Sequence, residues 1–390
     1  MTSIVAFSPA TAASPEIPAD APLVWLLMGH KAGDNAQVLA LAEALDWPFE
    51  IKQFVYRRWE ALPNLTLGAT MAGIRVEGSS HLQPPWPALV ISAGRRNEPI
   101  ARWIRKRASA EGRRVRLVHL GRPWSPLHCF DLIVTTPQYR LPDRENILQN
   151  QAPLHRVTPR RLQESTTEWA PRFAHLPRPW ITVLIGGGIT PHVFDHETAA
   201  RLAAGASALA GPSGGSVLVS TSPRTPAPTI DTLCAGLTVP SYIFRWSKEA
   251  AENPFYGMLA VADALIVTGD SMSMLAEACA TGRPVHLFDL GTGAQSMRST
   301  AAASAPSPVG PRNVAVRIET ALLRLVKRLT PRRLSRDISA IHRHFVDAGA
   351  AVWLGDPFPA RSSLPDFDGL ASAVARVRAL FAHRDFEGVD

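Results

Sequence analysis

The stretch from Val261 to Phe288 constrains the fold more than any other part of the chain. Ala264-Leu-Ile-Val-Thr268 is a short apolar run suited to a buried parallel strand. Gly269-Asp270-Ser271 interrupts it, and Ser271 or Ser273 is placed to cap a helix that carries Glu277. Gly282 ends that helix, and Pro284-Val285 opens the next strand. A polar turn at the carboxyl end of a buried strand, leading into a helix N-terminus, is where open α/β sheets take anionic ligands. The stretch reads as half of a nucleotide site.

The same unit recurs along the chain. Leu23–Met28 is a first strand, followed by the turn Gly29-His-Lys-Ala-Gly-Asp-Asn35 and a helix from Ala36 to Leu45. That turn either holds a phosphate or carboxyl through Lys31, Gly33 and Asn35, or is a plain βα turn capped by Asp34 or Asn35. Glu50–Tyr56 and Pro87–Ala93 read as strands, and Gly94-Arg95-Arg96-Asn97-Glu98 opens a helix through Arg107. Arg95 and Arg96 either meet an anionic ligand or are surface charges of a first helical turn. Arg116–Leu120 and Phe130–Thr135 are further strands, and 142–150 a polar loop. Three prolines in 171–179 suggest a linker, after which Trp180–Ile185 restarts the pattern. Gly186-Gly187-Gly188 is expected to turn directly into a helix ending at Leu209 and to let a ligand approach the backbone. Ser216–Thr221 leads to Ser222-Pro-Arg224-Thr225-Pro226, where Arg224 either grips a diphosphate or braces its loop. Repeated units of this kind give parallel sheets with right-handed crossovers.

At 390 residues the chain exceeds one ordinary core, so two domains are expected. They are read as 23–172 and 173–338, after a disordered arm at 1–22. Helices in 339–390 are expected to cross back to the first domain. The segment 291–311 reads as a mobile loop, with helices over 314–329 and 333–348. No apolar run approaches the roughly 18 residues of a membrane span. Three cysteines, far apart, suit a reducing, cytoplasmic compartment and lack metal-ligand spacing. The charge of +8 suits an anionic membrane face, a lipid acceptor or an acidic small molecule, or else two solvated helix faces. No nucleic-acid-binding signature accompanies it.

Six motifs together carry a family resemblance. They are Gly29-His-Lys-Ala-Gly-Asp-Asn-Ala-Gln37, Ser92-Ala-Gly-Arg-Arg96, Ile185-Gly-Gly-Gly188, Ser220-Thr-Ser-Pro-Arg-Thr-Pro226, Asn253-Pro-Phe-Tyr256 and Thr268-Gly-Asp-Ser-Met-Ser-Met-Leu-Ala-Glu277. Over about 23–290 the chain resembles bacterial relatives of the plant mitochondrial fission protein of the elongated-mitochondria type, a family similar to GT-B glycosyltransferases and UDP-sugar 2-epimerases. The resemblance implies two Rossmann-like domains with parallel sheets facing a cleft, and a nucleoside-diphosphate sugar as donor substrate, with no cofactor or metal. By that likeness Glu277 would bind the ribose. Gly187, Gly188, Ser271 and Ser273 would face diphosphate or sugar, with Asp270 and Thr225 beside them, and Arg224 would contact phosphate. Asp34 and Glu98 are the candidates for a general base in the first domain. The expectation is a glycosyltransferase, peripheral at the inner membrane. Its alternatives are a non-catalytic scaffold or adaptor that keeps the nucleotide-sugar fold and recruits a partner protein, and a UDP-sugar 2-epimerase-like enzyme.

Overall fold

The computed structural model describes residues 21–57, 68–298, 336–359, 367 and 369–382. The arm at 1–20, most of the loop expected over 291–311 and the helix expected over 314–329 lie outside them. The described residues fall into two compact units. The first takes those of Pro9–Arg156, Thr320–Asp337 and Asp368–Asp390; the second takes those of Val157–Glu319 and Ile338–Phe367.

The first unit is built on β1 (Val24–Met28), α1 (Ala32–Leu45), β2 (Phe49–Gln53), a short antiparallel pair β3 (Val55–Tyr56) and β4 (Ile74–Arg75), β5 (Leu89–Ala93), α2 (Glu98–Ala110), β6 (Arg116–Leu120), β7 (Leu132–Thr135) and β8 (Ile147–Gln149). The sheet is parallel, in the order β2-β1-β5-β6-β7-β8. β1, β5 and β6 are buried at every position, including the polar Ser92, Arg116 and His119, as central strands of a parallel sheet covered on both faces are. In α2, Ile100, Ile104 and Ala108 repeat at a four-residue interval and face the sheet. The other face of the sheet is covered by α1 and by a C-terminal helix, Leu370–Ala379, which buries Ala373 and Val377. The segment read as a polar loop at 142–150 contains β8, which pairs at the sheet's edge.

The second unit begins earlier than the prolines suggest. Pro159–Phe173 is a helix, α3, with the Thr158 hydroxyl accepting from Arg161 N at its start. Its Trp169 and Phe173 join Trp180, Leu218, Met258 and Val261 in one core cluster. The expected boundary near 172 is therefore corrected to Val157, because apolar burial and not proline content decides where α3 belongs. β9 (Trp180–Leu184), a hairpin of β10 (Gly188–Ile189) and β11 (His192–Val193), α4 (His196–Ala210), β12 (Ser216–Ser220), α5 (Ala227–Gly236), β13 (Ser241–Phe244), α6 (Phe255–Val261), β14 (Ala264–Thr268), α7 (Met272–Cys279), β15 (Val285–Phe288), α8 (Ile338–Asp347) and β16 (Val352–Trp353) follow. Their sheet is parallel in the order β13-β12-β9-β14-β15-β16. The tail after 338 divides: β16 adds a strand to the second unit, and Leu370–Ala379 covers the first.

Each sheet has one place where the strand order reverses. In the first it lies between β1 and β5, in the second between β9 and β14. At such a point the turns beyond two adjacent strands run to opposite sides and leave a crevice.

α3 docks on α6 because residue 257 has no side chain: a β-carbon on Gly257 would overlap the Trp169 indole. Gly257→Ala should lower the stability of the full chain by about 1–3 kcal/mol in urea unfolding, as overpacking does.

Candidate functional site

The reversal point of the second sheet is closed by one carboxylate. Asp270 follows β14 and its side chain is wholly buried. Its Oδ1 accepts from the Thr268 hydroxyl at 2.7 Å and its Oδ2 from Gly188 N at 3.1 Å. The same Oδ2 lies 3.0 Å from Arg224 Nη1, which also donates to Gly188 O at 3.0 Å. Gly186 N donates to Thr268 Oγ1 at 2.8 Å. This packing explains the glycines. A β-carbon at Gly186 would overlap the Asp270 carboxylate, and one at Gly187 would overlap the Arg224 backbone. Gly187 and Gly188 also have φ of +110° and +100°, which disfavours any other residue.

Several expectations are corrected here. The glycine turn does not enter a helix; the β10–β11 hairpin intervenes and α4 starts at His196, so no helix dipole serves Gly187 or Gly188. Asp270 is committed inward, to the turn and to Arg224. The Thr225 hydroxyl is likewise spent, donating to Ile185 O at 3.2 Å and accepting from Ser222 N at 2.9 Å. Both alternatives for Arg224 meet in one residue: it braces the turn, and 49% of its side chain remains exposed at the sheet's carboxyl edge. Ser271 takes the N-cap position of α7 in extended backbone without a side-chain cap bond, so its hydroxyl does not serve the helix. Ser273 is half-buried in the first turn.

Glu277 is buried on α7, and the Tyr256 hydroxyl donates to its Oε1 at 3.3 Å. Tyr256 is the second residue of α6, after Asn253-Pro254-Phe255, and its ring centre lies 5.2 Å from the Arg161 guanidinium. Between α3 and the start of α6 lies a cavity of about 380 Å³, lined by Arg161, Glu164, Trp169, Asn253 and Tyr256 among others. Tyr256 thus connects Glu277 to the cavity wall.

In the first unit, Asn97 ties the reversal point together. Its amide donates to Leu27 O at 2.8 Å and Ala93 O at 3.1 Å, across the ends of β1 and β5, and its Oδ1 accepts from the Tyr56 hydroxyl at 2.6 Å. α1 begins at Ala32, four residues earlier than expected, so Gly33 and Asn35 lie in its first turn and not in a loop before it. Asn35 instead brackets Gly29, accepting from its N–H at 2.8 Å and donating to its C=O at 3.0 Å. Lys31 is the N-cap and is exposed. The Asp34 carboxylate faces Gly94; a β-carbon there would lie 3.2 Å from Oδ2. Burial pushes the Asp34 carboxyl above its usual range, against the pull of Lys31, Arg336 and His30. Arg96 lies over the Tyr56 ring and Arg95 over Trp124.

Glu98 is not a general base. It is fully buried and accepts from Trp124 N at 2.9 Å and Ser125 N at 2.7 Å, which fixes the loop beyond β6. His119 lies beside it, with Nε2 3.9 Å from Glu98 Oε1 and Nδ1 3.1 Å from Ser92 Oγ. Serine, histidine and glutamate are all without solvent exposure, so this group is part of the core. Burial lowers the His119 pKa to about 3, and the ring is neutral at physiological pH.

Sequence reading missed Asn97, Arg122, Trp124, Tyr139, Tyr256 and Thr268 as site residues. Arg122 and Trp124 directly follow β6, and Tyr139 follows β7 within four residues. The rule that ligands gather at strand carboxyl ends would have found those three. Arg336 had no local signal, since it reaches Gln138 from 198 positions away.

The family model described as Mitochondrial fission ELM1 matches residues 32–304, well over half of the chain. The chain belongs to this family. The Mitochondrial fission protein ELM1 of Arabidopsis thaliana is 30% identical over 224 residues, 52% of this chain and 51% of that protein. The chain therefore spans about half the length of this plant relative. A second family relative is the uncharacterized protein RP120 of Rickettsia prowazekii (strain Madrid E), 22% identical over 298 residues, 68% of this chain and 82% of that protein. Among solved structures, the UDP-GlcNAc 2-epimerase of Methanocaldococcus jannaschii has 12% identity and a TM-score of 0.47, covering 92% of this chain and 99% of that chain. A glycosyltransferase of Rickettsia africae ESF-5 has 11% identity and a TM-score of 0.39, covering 93% and 98%. Likenesses of this size carry no chemistry to the chain. Among the described residues, no helix is long and apolar enough to cross a membrane, and no group of three or more His, Cys, Asp or Glu is placed to hold a metal ion.

Two stability measurements test these assignments. Asp270→Ala should cost about 2–3 kcal/mol in urea unfolding, less than a fully buried pair because Arg224 is half exposed. For His119, the unfolded ring takes a proton below pH 6.5 while the folded ring resists until about 3. Stability should thus fall on acidification, by about 2 kcal/mol from pH 7 to pH 5, and His119→Gln should flatten that slope.

Proposed function

We propose that the second unit binds a nucleoside-diphosphate sugar and that the protein transfers its sugar to an acceptor held by the first unit. The observation that carries this is the exposed half of Arg224, held at the reversal point by a buried carboxylate beside a glycine turn. A guanidinium fixed in orientation before the ligand arrives suits a diphosphate, because little freedom is lost on binding. The hydroxyls of Ser271 and Ser273 and the amides opening α7 supply further donors. Glu277, one turn deeper and oriented by Tyr256, is suited to accept hydrogen bonds from ribose hydroxyls.

In glycosyl transfer the bond from the anomeric carbon to the diphosphate breaks while the acceptor oxygen attacks. The charge that develops on the leaving diphosphate needs fixed donors. Arg224 and the α7 amides fill that role. The acceptor hydroxyl must lose a proton, and Asp34, whose carboxyl pKa is raised by burial, is the group proposed to take it. A scaffold that binds nucleotide without turning it over is the second reading. It is favoured by the inward commitment of Glu98, which leaves Asp34 of the two candidate bases.

Calorimetry of the full chain with UDP, GDP, CDP and their sugars separates the readings. Binding of at least one nucleotide is expected. Glu277→Ala should weaken it by about 1–3 kcal/mol, through loss of a polar partner in a desolvated site, and Arg224→Gln should weaken it comparably. Failure of every nucleotide to bind would sink the donor reading. Binding without turnover by any sugar nucleotide, unaltered by Asp34→Asn, would favour the scaffold.

A further inference from the structure

The first unit carries a row of alternating cations and aromatic rings across the carboxyl ends of its strands. Arg95 lies 5.5 Å from the Trp124 ring centre, and Arg122 lies 5.3 Å from the same ring. Arg122 also lies 5.7 Å from the Tyr139 ring, and Arg336 lies 5.9 Å from that ring on its own approach. The backbone builds this row deliberately close to the sheet. Gly121, with φ of +91°, turns the chain after β6 so that Arg122 follows the strand at once, and its N–H donates to Val134 O at 2.8 Å. Glu98 fixes Trp124 through its backbone N–H. Arg336 is oriented by Gln138, to whose Oε1 its Nε donates at 2.7 Å.

The row is overloaded with positive charge. Arg122 is pushed below the ordinary arginine pKa, first by burial and then by Arg336, with Tyr139 and Glu98 opposing. Of the carboxylates close by, Asp34 has its charge disfavoured by burial, Glu98 accepts from the Trp124 and Ser125 amides, and Asp337, next to Arg336, is paired with Arg140. Lys31 and Arg96 stand at the same crevice. The first amides of α1 open there as well, since the helix's first hydrogen bond is from Asn35 N to Lys31 O. Cations held over aromatic faces keep their fork geometry and lose little freedom when an oxyanion arrives. Two guanidiniums that repel each other across one tyrosine are both relieved by a shared anion.

We propose that Arg122 and Arg336, flanking Tyr139, form a binding site for a phosphate-bearing ligand at the reversal point of the first sheet. As the place for an acceptor's phosphate, the site rests on the transfer reading above; as an oxyanion site it stands without it. The same chemistry is offered by a soluble phosphorylated sugar and by a lipid headgroup.

The test uses the full chain with Arg224→Gln as background, so that the second unit's guanidinium does not contribute. Inorganic pyrophosphate is titrated by calorimetry, and vesicles of phosphatidylcholine with and without phosphatidic acid are used in sedimentation. Pyrophosphate should bind, Arg122→Gln should reduce its affinity at least 10-fold, and Arg336→Gln about 3- to 10-fold. Arg336 is exposed, so its variant keeps the test valid if Arg122→Gln fails to fold by circular dichroism. Sedimentation with phosphatidic acid that is lost in the same variants assigns a lipid headgroup; pyrophosphate binding without sedimentation assigns a soluble phosphate. Absence of pyrophosphate binding, or affinity within twofold of the background protein in Arg336→Gln and any folded Arg122→Gln, overturns the proposal. Failure of nucleotides in the wild-type calorimetry alongside success here would sink the donor reading alone.

Discussion

The buried carboxylate of Asp270 holds the second unit's site together. Three separate turns, beyond β9, β12 and β14, converge on it through Gly188 N, Arg224 Nη1 and Thr268 Oγ1. A buried charge is tolerated only when its acceptor positions are filled. Here each filled position is also a structural tie, so the shape of the turn and the direction of Arg224 are set together. The glycines at 186 and 187 follow from this, because the carboxylate and the Arg224 backbone occupy the space their side chains would need.

The first unit solves the same problem with a neutral group. Asn97 bridges β1 and β5 by donating to one carbonyl from each, and Tyr56 satisfies its remaining oxygen. The neutral bridge leaves the charges at that crevice, Lys31, Arg95, Arg96, Arg122 and Arg336 against Asp34, available to shape the field felt by a ligand. The two units therefore share a topology while presenting different electrostatics: a single braced guanidinium in one, a cationic row in the other.

Much of this architecture was legible in the residues. Buried parallel strands such as Trp180–Leu184 and Ala264–Thr268 announce themselves as apolar runs bounded by glycine and polar turns. The turns beyond them located Arg224, Glu277, Asp34 and Arg95. What stayed hidden was the direction of side chains. Asp270, Thr225, Asn35 and Glu98 occupy the right turns but bond inward, and a turn's sequence does not say which neighbours will saturate its polar atoms. α3 was hidden for a different reason: Pro171 lies inside its last turn and reads with Pro177 and Pro179 as a linker, while Pro159 at its first position is where a helix accepts proline. Short strands such as β8 and β16 are defined by pairing with a neighbour and leave no periodicity of their own.

The division of the C-terminal segment bears on how the chain reaches its native state. β16 lies beyond residue 350 and extends the second sheet, while Leu370–Ala379 buries two residues against the α1 face of the first. Neither core is complete until these late segments have been made. The first unit, although its strands are synthesised early, holds an open apolar face until Leu370–Ala379 has followed them, about 220 residues after β8. A fragment cut at the junction near Val157 would carry that open face permanently, because the helix that covers it is encoded more than 200 residues downstream.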